Sequence, residues 1–183
     1  MRKFPEKRIL ITVILFLLFL LFVVWIIPAF DVSSYVDNVF CLDVLSNYSR
    51  DTVYELFNYL GQTGLQQYKT FIYIDFAYII VYGGMSVLLI NTLIFKIGKL
   101  GNYIKIVAYI PFILILSDIT ENINTLILIN QFPYLNNNLI TFASNVSGFK
   151  WIAASIVAGT IISISFYAIL RFIFWKLNTA KND

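Results

Sequence analysis

Residues 9 to 27, ILITVILFLLFLLFVVWII, run for nineteen positions without a charge or a helix breaker. At 1.5 Å per residue a helix of that length matches a hydrocarbon core about 30 Å thick, and an apolar surface on every side has no place in a small soluble fold. The basic start, Arg2, Lys3, Lys7 and Arg8, also suits a signal peptide. The run, however, exceeds the usual signal core of about 7–15 residues, and Pro28-Ala29-Phe30 is a poor cleavage site, so an uncleaved anchor is expected.

The rest of the chain continues in the same character: 60% of its residues are apolar and 13% charged, against about 25% charged in soluble domains. Further apolar stretches predict an all-α integral membrane four-helix bundle in a single domain, residues 1–183, with spans at about 9–28, 71–95, 105–129 and 150–171. Span three is the least obvious, because SDITENINT interrupts it, yet the charges on its two sides require it to cross. Ten of the thirteen Lys and Arg residues fall on one side: Arg2, Lys3, Lys7, Arg8, Lys96, Lys99, Lys105, Arg171, Lys176 and Lys181. The positive-inside rule then places both termini in the cytoplasm of a multi-pass protein of the cell membrane. The first outward loop, residues 29–70, carries Asp31, Asp37, Asp43, Asp51 and Glu55 against Arg50 and Lys69. Within it Thr52 and Glu55 read as a capping box and Gly61 as a stop, which predicts a short amphipathic helix able to lie over the bundle.

Several function classes drop out. The net charge of +3 is spread by topology and forms no basic patch, so nucleic acid is not an expected partner. With no histidine and one cysteine, Cys41, the usual zinc and haem ligand sets and an intramolecular disulfide are missing, and neither metal nor cofactor is expected. No phosphate-binding loop, dinucleotide fingerprint, HExxH or CxxC is present.

Ionisable side chains at membrane depth cost several kcal/mol unless they meet a partner or a wet cavity. Here they fall on coherent helix faces. Asp75, Tyr78, Tyr82 and Ser86 recur at intervals of three and four in span two, and Asp118, Glu121, Asn122 and Thr125 do so in span three. Lys150 opens span four beside Trp151, where its stem can snorkel to the interface. Counting from Lys96, Lys105 and Arg171 at 1.5 Å per residue puts Asp75 and Lys150 about 31 Å up, Glu121 about 24 Å, and Asp118 and Tyr82 about 20 Å. A funnel opening outwards is expected, with Asp75 and Lys150 at its rim and Asp118 at its floor. Three carboxyl groups near one lysine cannot all ionise comfortably in a low-dielectric setting. The candidate binding residues are therefore Asp75, Tyr78, Tyr82, Asp118, Glu121, Asn122 and Lys150. Gly83-Gly84 and the Ser155, Gly159, Ser163 stripe predict close helix approach, and Pro111 a kink in span three.

LGQTGLQQY at 60–68, Asp75, SDITEN at 117–122 and Lys150-Trp151 together resemble a group of small four-helix membrane proteins that share LGxxGxxxY, an acid in span two, DxxEN and a KW pair. The chain departs from the group at Gln66, where arginine is common. The resemblance implies the same topology and the same residues to test; it implies no activity. Three functions fit these observations: binding or transport of a small cationic or amphipathic solute or a lipid headgroup; a lipid-modifying enzyme using carboxylate acid-base chemistry, with Lys150 on an anionic headgroup; and a structural or accessory subunit. Membrane lipid is the expected partner, together with a second copy of the chain or a partner membrane protein.

Overall fold

The computed structural model describes residues 6–30, 41–97 and 104–179. Arg2, Lys3, Asp31, Asp37, Lys99 and Lys181, which enter the charge pattern, lie outside the described residues. Helix α1 (Glu6–Leu21) continues through a π-helical turn (Phe22–Ile26) into α2 (Ile27–Phe30). Then come α3 (Arg50–Ile97), α4 (Ile110–Gln131) behind a 3-10 turn at Lys105–Tyr109, and α5 (Asn137–Thr179). Among the described residues four stretches, Leu10–Phe30, Arg50–Phe95, Lys105–Gln131 and Asn137–Phe174, are helical and long and apolar enough to cross a membrane.

Helices α3 and α5 are far longer than the expected 71–95 and 150–171. Their extra turns lie at one end of the bundle, where residues 50–70 and 137–149 pair apolar faces with polar ones, as in a soluble bundle. The expected amphipathic helix is the first part of α3. It is not a separate element lying on an interface: Val53, Leu56 and Phe57 are buried against Leu128, Ile129, Ile140 and Ala143 of α4 and α5. Gly61 breaks α3 with φ 57°, a left-handed conformation that a Cβ would penalise, so the expected stop is a bend with helix on both sides. The start differs by three residues from the Thr52–Glu55 reading. Ser49 is the cap, its Oγ accepting from the Thr52 N–H (3.2 Å) while Thr52 Oγ1 accepts from the Ser49 N–H (3.3 Å).

Helices α3, α4 and α5 pack mutually, and α1 lies along α3. Gly83 lets α4 approach: a Cβ there would fall 2.5 Å from Ile115 Cδ1, whereas one on Gly84 would meet Leu15 of α1 at an ordinary 3.6 Å. Pro111 does not kink a running helix. It sits in the first turn of α4, where its missing N–H has no partner to lose.

The interior is layered. Ile90, Ile94 and Ile164 fill the end near Lys105; Leu114, Ala153 and Val157 fill the middle; the large cluster around Phe57, Tyr68 and Leu128 fills the other end. Asp118, Glu121, Asn122 and Lys150 are buried between the last two layers.

Candidate functional site

Buried residues on α5 recur every three or four positions, Ala143, Ser147, Lys150, Ala153 and Val157, so this face turns Lys150 inward. It does not snorkel: only 8% of the residue is exposed. Its Nζ pairs with Glu121 Oε2, lies 3.5 Å from Asp118 Oδ1, and donates to the backbone carbonyl of Asp43 at 2.8 Å. Those three acceptors match the three N–H bonds of an ammonium group. Trp151 lies beside it, with Nζ 5.6 Å from the ring centroid.

Helix α4 supplies the acids. Asp118 Oδ2 accepts from the Tyr82 hydroxyl of α3 at 2.6 Å, so one carboxylate ties three helices together. Glu121 is fully buried; the Ser147 hydroxyl lies beside its carboxylate but donates to the Leu45 carbonyl, and among the described residues Oε1 has no hydrogen-bond partner. Asn122 donates its amide to Asp75 Oδ2 at 2.7 Å. Tyr78 joins through its ring, 5.1 Å from that of Tyr82 and within 6 Å of Phe19 in α1 and Phe22 in the π-helical turn that follows it. Ser86 turns back to the Tyr82 carbonyl at 2.8 Å, and Thr125 is buried one turn beyond Asn122.

The pairing expected from depth is not the one formed. Asp75, placed level with Lys150, takes Asn122, while Lys150 reaches the supposedly deeper Glu121 and Asp118. One cause is the 3-10 turn at Lys105–Tyr109, whose rise of about 2.0 Å per residue lifts the acids of α4 by about 2.5 Å over an α-helical count. The other is azimuth: at equal height a side chain meets only what its helix face points towards.

The funnel is also corrected. A strap of non-periodic chain, residues 41–49, crosses the end at which the funnel was expected to open, and spacing alone did not reveal its partners. Tyr68, fully buried, accepts from the Leu42 N–H through its hydroxyl at 2.9 Å. Ser147 donates to the Leu45 carbonyl, and Ser144 donates to Asn47 Oδ1 while accepting from the Tyr48 N–H. Ser144, Ser147 and Lys150 stand at intervals of three on α5, a stripe readable in the sequence once the helix is started at Asn137 rather than near residue 150. Tyr48 is the other residue missed. Its ring is buried in the strap, its hydroxyl has no hydrogen-bond partner, and burial, helped by the charges of Glu121 and Asp43, pushes its phenol well above the ordinary range. It stays a neutral donor.

A groove of about 620 Å³ runs beside the strap, lined by Ser46, Gly148, Trp151, Ile152, Ser155 and Ile156; none of the acids lines it. Among the described residues no three acidic, cysteine or histidine side chains are grouped to hold a metal ion. No protein-family model, no curated protein and no solved structure matches this chain, whose site is therefore characterised by its geometry alone.

Proposed function

We propose that this chain is a multi-pass protein of the cell membrane, with both termini cytoplasmic, that binds a small cationic or amphipathic solute, or a cationic lipid headgroup, at the acid cluster and takes part in its transport. Four helices form a small transporter by themselves, so a homodimer is part of the proposal. The observation that carries it is the charge balance of a buried network: Asp118 and Glu121 share a single ammonium, Asp75 adds a third carboxyl group held by the neighbouring Asn122, and among the described residues Glu121 Oε1 is a buried acceptor without a hydrogen-bond donor. Native proteins leave few such groups, and those they leave often serve a function. A cation is favoured over an anion because all three ammonium hydrogens of Lys150 are already engaged, which leaves it nothing with which to hold a phosphate. Membership of the small four-helix group belongs to the same proposal, since Tyr68, Asp75, Asp118, Glu121, Asn122 and Lys150 are supplied by the shared elements.

The test is extraction of small molecules and lipids from purified protein in nanodiscs, followed by mass spectrometry of wild type beside the Asp118→Asn/Glu121→Gln double variant. A cationic species held by the wild type and lost by the variant is expected. Its being a lipid or a soluble amine separates the two sources. Identical extracts from a folded variant refute the reading.

A further inference from the structure

The strap is anchored in two ways. Cys41, Leu42 and Tyr48 pack into the apolar cluster around Phe57 and Tyr68, and the backbone groups of residues 42–48 are taken one after another by side chains of the bundle: Tyr68 takes the Leu42 N–H, Lys150 the Asp43 carbonyl, Ser147 the Leu45 carbonyl and Ser144 the Tyr48 N–H. Contact at the centre is close. A Cβ on Gly148 would fall 2.9 Å from the Ser46 carbonyl oxygen, so only glycine lets α5 run this near the strap. A segment of this length can open locally, at the cost of these bonds and of the burial of Leu42 and Tyr48, while α3 to α5 stay packed.

Of the four anchors, Ser147 has its hydroxyl beside Glu121, and Lys150 is ion-paired with both acids. The ammonium of Lys150 holds the strap through Asp43 and at the same time neutralises Glu121 and Asp118. A cation arriving at the acid pair competes with Lys150 for the same oxygens, and a lysine displaced from them is no longer positioned on the strap. We propose that residues 41–49 form a gate over the acid pair, and that Lys150 is its latch, a built-in counterion whose displacement by the incoming cation releases the strap. This rests on the reading of the acids as a cation site.

Cys41 lies in the strap, is buried, and is the only cysteine in the chain, so its labelling rate reports strap opening without engineering. The experiment measures reaction of Cys41 with N-ethylmaleimide in the full chain in nanodiscs, with no solute added. Wild type is expected to react slowly. Lys150→Gln, which weakens the charge-assisted bond to the strap, and Gly148→Ala, which pushes against Ser46, are each expected to label about tenfold faster. Asp118→Asn and Glu121→Gln touch no strap atom in the bonds above, yet both are expected to label several-fold faster because they loosen Lys150. Gly83→Ala strains the α3–α4 contact away from the strap and serves as the control, with labelling expected at the wild-type rate.

If the two acid variants label like wild type while Gly148→Ala is fast, the strap is a static cover and the latch is wrong. If Gly83→Ala is as fast as the others, Cys41 is exposed by general loosening and there is no gate. Uniformly slow labelling in all variants also overturns the proposal. Because no solute is present, a failed gate is distinguishable from a failed cation reading, which the extraction experiment decides.

Discussion

Replacing Lys150 by methionine keeps the length and most of the volume of its stem and removes only the charge and its three donors. Of the acids left behind, Glu121 has no side-chain exposure and Asp118 11%, so water does not readily replace the ammonium. Asp118 keeps the Tyr82 hydroxyl; Glu121 keeps nothing among the bonds described above. Removing one partner of a buried ion pair costs about 3–5 kcal/mol, and full burial of Glu121 places this site within that range. In a chain of this size the loss lowers the unfolding midpoint on the order of 10 °C. Glu121→Gln removes the other partner but leaves Lys150 its contacts with Asp118 and the Asp43 carbonyl, so it is expected to cost about 1–3 kcal/mol. The Lys150→Met/Glu121→Gln double variant leaves no buried charge at position 121 and is expected to lose about 1–3 kcal/mol less than the sum of the single variants. The assay is helix circular dichroism against temperature and denaturant in one detergent for all four proteins. Lys150→Met within about 1 kcal/mol of wild type, or additivity within about 0.5 kcal/mol, refutes the description of Lys150 as a desolvated shared counterion.

Gly83→Ala is expected to cost about 1–3 kcal/mol by overpacking against Ile115, while Gly84→Ala, with its nearest contact at 3.6 Å, is expected to be neutral or to gain up to about 1 kcal/mol in helix propensity. A thermal melt in which Gly84→Ala is the more damaging of the two overturns the assignment of the two glycines to α4 and α1. Asp75→Asn keeps an oxygen to accept from Asn122 and removes one surplus negative charge, so it is expected to raise stability by about 0.5–2 kcal/mol. Destabilisation in the same melts shows that the Asp75 charge is compensated within the fold.

The helical stretches that can cross a membrane were legible because each contains a run with few charges, and the third because Asp118, Glu121, Asn122 and Thr125 repeat as one face of a helix. Hydropathy counts only what a bilayer hides, so it began α3 near Phe71 and α5 near Lys150. The turns beyond are amphipathic like those of a soluble bundle and bury Phe57, Leu65 and Ile140 in a core of their own. That omission carried the largest error about the site. With α5 starting at Asn137, Ser144 and Ser147 join Lys150 on one stripe, and a stripe of donors next to a glycine asks for a backbone to bind. The strap itself has no period to read, and its place is set by tertiary contacts alone. Azimuth was the remaining gap: depth counting put Asp75 beside Lys150, but the face of α3 that bears Asp75 turns it to Asn122.

The surplus of acid is what favours the proposed ligand site over a network that serves only register. For stability alone, one acid would suffice for Lys150, and uncharged residues at the other positions would avoid the desolvation of further carboxylates, since buried ion pairs rarely repay what their burial costs. This chain instead keeps Glu121 fully buried with one oxygen unmatched, sets the neutral Tyr48 hydroxyl nearby without an acceptor, and leaves a single lysine to balance the group. Such conflict between local rules and the fold is expected where a sequence is selected for something other than stability. If the acids bind a cation as proposed, Lys150 reconciles the two demands, because a cation tethered to α5 neutralises the acids while the site is shut and can be replaced there by another cation when it opens. On that view the strap, the lysine and the acids form one device, in which packing seats the strap and Lys150 couples it to the acids.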